Sequence, residues 1–137
     1  MSDQPELNNT QTTSDANQLF DRDMEEALIG AVLITPDAYV DAAPLVNAES
    51  FYILRNRWIW EAFTELFKSD NYFDILTVKE ALESSGHLED VGGLDYLISL
   101  TNRVPSSQHA ESYARNISAL AVRRRLLSAA NDIAKLA

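Results

Sequence analysis

From Ser106 to Ala137 the chain runs without a single glycine or proline. A segment of that length and composition is expected to be one helix, about 45 Å long at 1.5 Å per residue. Its apolar residues fall in two stripes. Ala110, Tyr113, Ile117, Leu120, Leu127 and Ala134 recur along one side, and at 100° per residue Ala119, Val122, Leu126, Ile133 and Leu136 recur on roughly the opposite side. Two buried faces need two partners. A small domain can cover one with its own helices, which leaves the other as a candidate surface for a neighbouring subunit. Self-association is therefore the first functional expectation, with Tyr113, Ile117, Leu120, Val122 and Leu127 as the expected oligomer interface.

The 137 residues are about one domain's worth, with 46% hydrophobic content to build a core. Cysteine is absent, which excludes disulfides, thiolate metal sites and a thiol nucleophile, and fits a reducing cytoplasm. There is no basic, apolar leader at the N-terminus and no run of about eighteen apolar residues, so neither export nor a membrane partner is expected. A net charge of -10 opposes a nucleic-acid-binding surface, because duplex affinity depends on Lys and Arg displacing phosphate counterions.

Residues 1–20 are polar and acidic, with too few large apolar side chains to offset the entropy of ordering, and are expected to form a disordered tail. A head domain is expected over residues 21–105, and the long helix over 106–137. Met24, Ala27, Leu28, Ala31 and Val32 mark a first amphipathic helix that ends before Pro36. Its early carboxylates Asp23, Glu25 and Glu26 suit the positive end of a helix dipole, and the paired acids read as a solvated face. Thr35-Pro36-Asp37 opens a second helix that Pro44 cuts short. Arg55 to Ser69, with Trp58, Ile59, Ala62, Phe63, Leu66 and Phe67 inward, reads as the central core helix, after the anchor Phe51-Tyr52 and before a turn at Ser69-Asp70-Asn71. Thr77 is read as the cap of a helix that stops at Gly86, Gly92-Gly93 as the opening of another, and Val104-Pro105 as its close. Nothing alternates like a strand. The fold class expected is all-α, a small orthogonal helical bundle followed by a long C-terminal helical hairpin.

Constellations that carry chemistry are missing. None of the four glycines begins a phosphate loop, which excludes nucleotide hydrolysis by this chain. His87 and His109 lack a companion at metal-binding spacing, and no catalytic, cofactor-binding or metal residue is expected. Trp58 and Trp60 lie two apart, about 200° around a helix, so that Trp58 reads as core and Trp60 as a groove or interface residue, a partner-contact candidate. Arg123, Arg124 and Arg125 fan around the last helix and join Trp60 as partner-contact candidates.

The ordered series Met24-Glu25-Glu26-Ala27-Leu28-Ile29-Gly30-Ala31-Val32-Leu33, Phe51-Tyr52, Asp74-Ile75-Leu76-Thr77-Val78, Gly86-His87-Leu88, Val91-Gly92-Gly93-Leu94-Asp95-Tyr96-Leu97 and Val104-Pro105-Ser106 resembles the N-terminal domain of bacterial DnaB-type replicative DNA helicases. The resemblance extends through Arg124-Arg125-Leu126-Leu127 to Ala129-Ala130-Asn131-Asp132-Ile133. It implies a non-catalytic collar domain: a helical head and hairpin that pair subunits into dimers and a hexameric ring, here through Leu94 to Leu100 and Tyr113 to Leu136. It further implies docking of the helicase-binding domain of primase, sometimes of a loader, during DNA replication. ATP and magnesium would belong to an ATPase domain outside these residues, and DNA would be met only through the full-length ring. Two other readings are a stand-alone loader or regulator that binds a helicase in trans, and a single-stranded nucleic-acid binder using Trp58, Trp60 and the Arg123 cluster.

Overall fold

A computed structural model describes residues 19–69, 73–104 and 107–136. Seven α-helices and two short 3-10 turns appear among them: α1 (Arg22–Ile34), α2 (Ala38–Ala42), a turn at Ala48–Ser50, α3 (Leu54–Lys68), α4 (Ile75–Ser85), α5 (Leu88–Val91), α6 (Gly93–Thr101), a turn at Ser107–His109 and α7 (Ala110–Leu136). No strand occurs among the described residues, and the all-α class holds. Most of the tail read over residues 1–20, together with Asp70, Asn71, Pro105 and Ser106, lies outside the described residues.

The helix at the centre is α1, not α3. Asp21 starts it by accepting the Met24 amide at 3.1 Å, and every residue from Glu25 to Leu33 is buried. A helix that buries its whole circumference must be enclosed by others, and α2, α3, α6 and α7 all pack on it. The enclosure is tightest at Gly30. A Cβ there would collide with the Leu100 carbonyl oxygen at the end of α6 and with the Val104 side chain, so α6 can approach only because position 30 has no side chain.

Local chemistry sets the other boundaries. Pro36 begins the turn leading into α2, with the Tyr39 amide bonding the Pro36 carbonyl at 3.0 Å, and α2 ends two residues before Pro44. The cap of α4 is Asp74 rather than Thr77. Its carboxylate accepts from the Leu76 and Thr77 amides, while the Thr77 hydroxyl accepts from the Asp74 amide at 2.8 Å. That reciprocal pair is a capping box, and it starts the helix at Ile75. Gly86 closes α4 at φ 80°, a left-handed conformation that costs glycine little.

The two tryptophans exchange their expected places. Trp60 is 1% exposed and sits among Phe51 (5.2 Å), Tyr39 (5.2 Å) and Phe63 (5.5 Å). Trp58 is half-buried and stacks on His87 at 4.2 Å. Phe51 and Tyr39 arrive from outside α3 and make the Trp60 side the inner one. Trp60 is thus not a partner contact, and with it buried the single-stranded nucleic-acid reading loses one of its two stacking surfaces.

Candidate interaction surface

The last helix divides at Ala121. Ala110, Tyr113, Ala114, Ile117 and Ala121 are buried against the head, where α7 packs on α1 and α2. Tyr113 and Ile117 are therefore core residues of one protomer, not interface residues. The head also extends into α7, past the boundary expected at residue 105. On α6, Tyr96, Leu97 and Leu100 turn inward in the same way.

Beyond Ala121 every α7 side chain but one is exposed. Val122, Leu126, Leu127, Ile133 and Leu136 range from 42% to 88% exposed, on an overhang of about 22 Å. Leu120, at its base, is half-buried. Up to Ala121 the first of the two sequence stripes is covered by the head. Farther out both stripes meet solvent.

The exception is Arg124. Its guanidinium donates to the Leu19 and Ser50 carbonyl oxygens, both at 2.7 Å, and stands 5.4 Å over the Tyr52 ring, on which Phe20 stacks at 4.2 Å. Arg124 accordingly pins α7, at the point where it leaves the head, to the lead-in of α1 and to the loop before α3. Its role as a partner contact is replaced by this internal one. Arg123 and Arg125, its neighbours, remain exposed.

Beneath this joint lies a buried polar network that no pattern in the sequence announces. Glu25, 1% exposed, accepts the backbone amides of Tyr52 (2.7 Å) and Ile53 (3.2 Å) and the Asn56 side-chain amide (3.0 Å). In turn, Asn56 accepts from the Tyr96 hydroxyl at 3.0 Å, and Arg55 lies 4.0 Å over the Tyr96 ring. The first residues of α3 have no local side-chain cap; Glu25 of α1 instead fixes the entry to the helix, holding the two residues that lead into it and the Asn56 side chain of its first turn. Glu26 is buried as well, paired with Arg103 at 2.6 Å. Neither carboxylate is part of a solvated face.

Burial pushes the Glu25 carboxyl above the ordinary glutamate range, against the opposing pull of Asn56, the two backbone amides and Arg124. A folded-state pKa above the unfolded one means that the folded chain holds the extra proton between the two values. The stability this contributes is complete below the unfolded value and is lost as pH rises through the folded one. Urea titrations between pH 4 and 8 are expected to show the wild type losing stability relative to Glu25→Gln as pH rises above the ordinary glutamate range, then levelling. A difference that stays flat or grows with pH would contradict the assignment.

His87 stacks on Trp58, with Nδ1 3.4 Å from Asp90, and His109 packs against Tyr113. Among the described residues no group of three or more His, Asp or Glu side chains is placed to hold a metal ion, and no helix is long and apolar enough to cross a membrane.

Comparison with known proteins agrees with this architecture. The chain is 39% identical over 102 residues to the replicative DNA helicase DnaB of Rhodothermus marinus, covering 74% of this chain and 11% of that protein. Identity is 35% over 111 residues to that of Geobacillus stearothermophilus, covering 81% and 24%. The chain thus spans a quarter or less of the relatives it matches. Among solved structures, the N-terminal domain of DnaB helicase from Mycobacterium tuberculosis superposes with a TM-score of 0.81 at 28% identity, over 84% of this chain and 83% of that one. The corresponding Helicobacter pylori domain, whose structure was described with its interactions with primase, shares the fold with a TM-score of 0.71 at 16% identity, over 90% and 95%. With residues 17–119 matching the DnaB-like helicase N-terminal domain, the chain belongs to the family of DnaB-like helicase N-terminal domains.

Proposed function

We propose that the chain is the assembly and docking module of a cytoplasmic replicative helicase. In this reading the distal half of α7 pairs with a second copy, dimers build toward a ring-shaped collar, and the collar receives the helicase-binding domain of primase or a loader. ATP, magnesium and DNA would be handled by the ATPase part of the full-length helicase. The observation that carries the reading is the exposure of Val122, Leu126, Ile133 and Leu136 on one stripe, and of Leu127 on the other, of a helix that overhangs its own head. A stripe of that kind gains by covering itself with a second one. Of the interface residues expected from sequence, Leu120, Val122 and Leu127 stay available, joined by Leu126, Ile133 and Leu136. The primase reading is supported by the interactions described for the Helicobacter pylori relative.

Leu127→Asp tests the interface, because Leu127 lies on the overhang beyond Ala121 and is 49% exposed. Sedimentation velocity is expected to show the variant as a monomer under conditions where the parent associates, with helix content by circular dichroism unchanged. A variant that sediments with its parent would place the interface elsewhere.

A further inference from the structure

On the side of α1 that faces α7 there is a cleft of about 460 Å³ lined by Asp23, Met24, Glu26, Ala27, Arg103 and Tyr113. Glu26 is 3% exposed. One of its carboxylate oxygens, Oε2, takes the Arg103 guanidinium at 2.6 Å, while the other, Oε1, is buried with no hydrogen-bond partner. An ionised carboxylate has acceptor sites on both oxygens, and a buried one left empty is unfavourable. The Arg103 side chain is itself 53% exposed, so its hold on Glu26 is open to competition from solvent.

A single water would satisfy Oε1, but the cleft has room for many, and its Met24 and Ala27 walls offer them little to bond. An occupant that suits both features has an apolar stem and a cationic donor at its end. Lysine and arginine side chains are built this way. Exposed Asp23 and the net charge of -10 favour the same sign of partner. We propose that this cleft receives a lysine or arginine side chain of a partner protein, with Glu26 as its anchor and Arg103 as the resident competitor. The inference rests on the docking role only in taking the bearer to be a protein.

N-acetyl-lysine methylamide is a suitable probe, titrated against the isotope-labelled chain with backbone amide shifts read by NMR. Saturable shifts are expected at Asp23, Met24, Glu26, Ala27 and Tyr113. Binding should weaken at least fivefold with the uncharged N-acetyl-norleucine methylamide, and at least fivefold in Glu26→Gln. Arg103→Ala, by vacating Oε2, should tighten binding about threefold, a direction that general loosening of the fold would not produce. Should Glu26→Gln fail to fold, Asp23→Asn at the exposed mouth should weaken binding about twofold. Absence of saturable shifts, equal response to the norleucine probe, or unchanged binding in the folded variants would overturn the proposal. Self-association is read by mass at distal α7, so a failed titration with intact association would remove the cleft and leave the collar reading standing.

Discussion

Trp60→Ala is expected to cost about 3 to 5 kcal/mol of folding stability, the range for emptying a large aromatic from a packed core. That is a large part of the roughly 5 to 15 kcal/mol that holds a domain together. The thermal midpoint should fall by roughly 15 °C for a chain of this size. The indole is 1% exposed and its ring contacts Phe51, Tyr39 and Phe63. None of these rings can close the gap without abandoning its own packing. Trp58→Ala, two residues away, provides the control. It removes a half-exposed ring stacked on His87 and should cost only about 1 kcal/mol, the scale of one aromatic pair. Equal losses for the two variants, measured by urea denaturation, would refute the placement of Trp60 at the centre.

Gly30→Ala carries the second large effect, although it adds one methyl group and raises helix propensity by about 1 kcal/mol. The added carbon would meet the Leu100 carbonyl oxygen and the Val104 side chain. Val104 can rotate away. The Leu100 carbonyl is backbone at the end of α6 and cannot yield unless α1 and α6 separate, which would loosen the contacts of Leu97 and Leu100 with the core. Overpacking of this kind costs about 1 to 3 kcal/mol and more where backbone must move, so a net loss of about 2 kcal/mol or more is expected. A neutral or stabilising outcome in thermal unfolding would show that α1 and α6 are not in the close approach described.

The punctuation of the chain was readable in advance. Pro36, Pro44, Gly86 and Gly92-Gly93 each fall where a helix starts or stops, because missing amides and left-handed backbone are properties of single residues. Tertiary relations were not readable in that way. Glu25 and Glu26 look like any acidic first turn. What buries Glu25 is the arrival of the α3 N-terminus, with the Tyr52 and Ile53 amides needing an acceptor, and nothing near residue 25 signals it. The broad apolar arc of α3 fits either tryptophan inward, and Phe51 and Tyr39, distant in sequence, decide between them. Thr77 and Asp74 are both good caps, and only the reciprocal bonds show that they work as a pair. For the interaction surface, periodicity identified both stripes of α7 but not the point at which the head stops covering one of them. That point is Ala121. It removes Tyr113 and Ile117 from the interface and turns Arg124 into the pin of the overhang.

The two halves of α7 therefore do different work. The first completes the core around α1. The second carries apolar side chains that its own head leaves 42% to 88% exposed, held at a fixed departure by the bonds of Arg124 to Leu19 and Ser50. Molar mass by light scattering across a concentration series of the unaltered chain tests this division most directly. The mass is expected to rise with concentration from that of one 15.3 kDa chain to at least twice that value. A mass that stays at one chain throughout would contradict self-association through the α7 overhang.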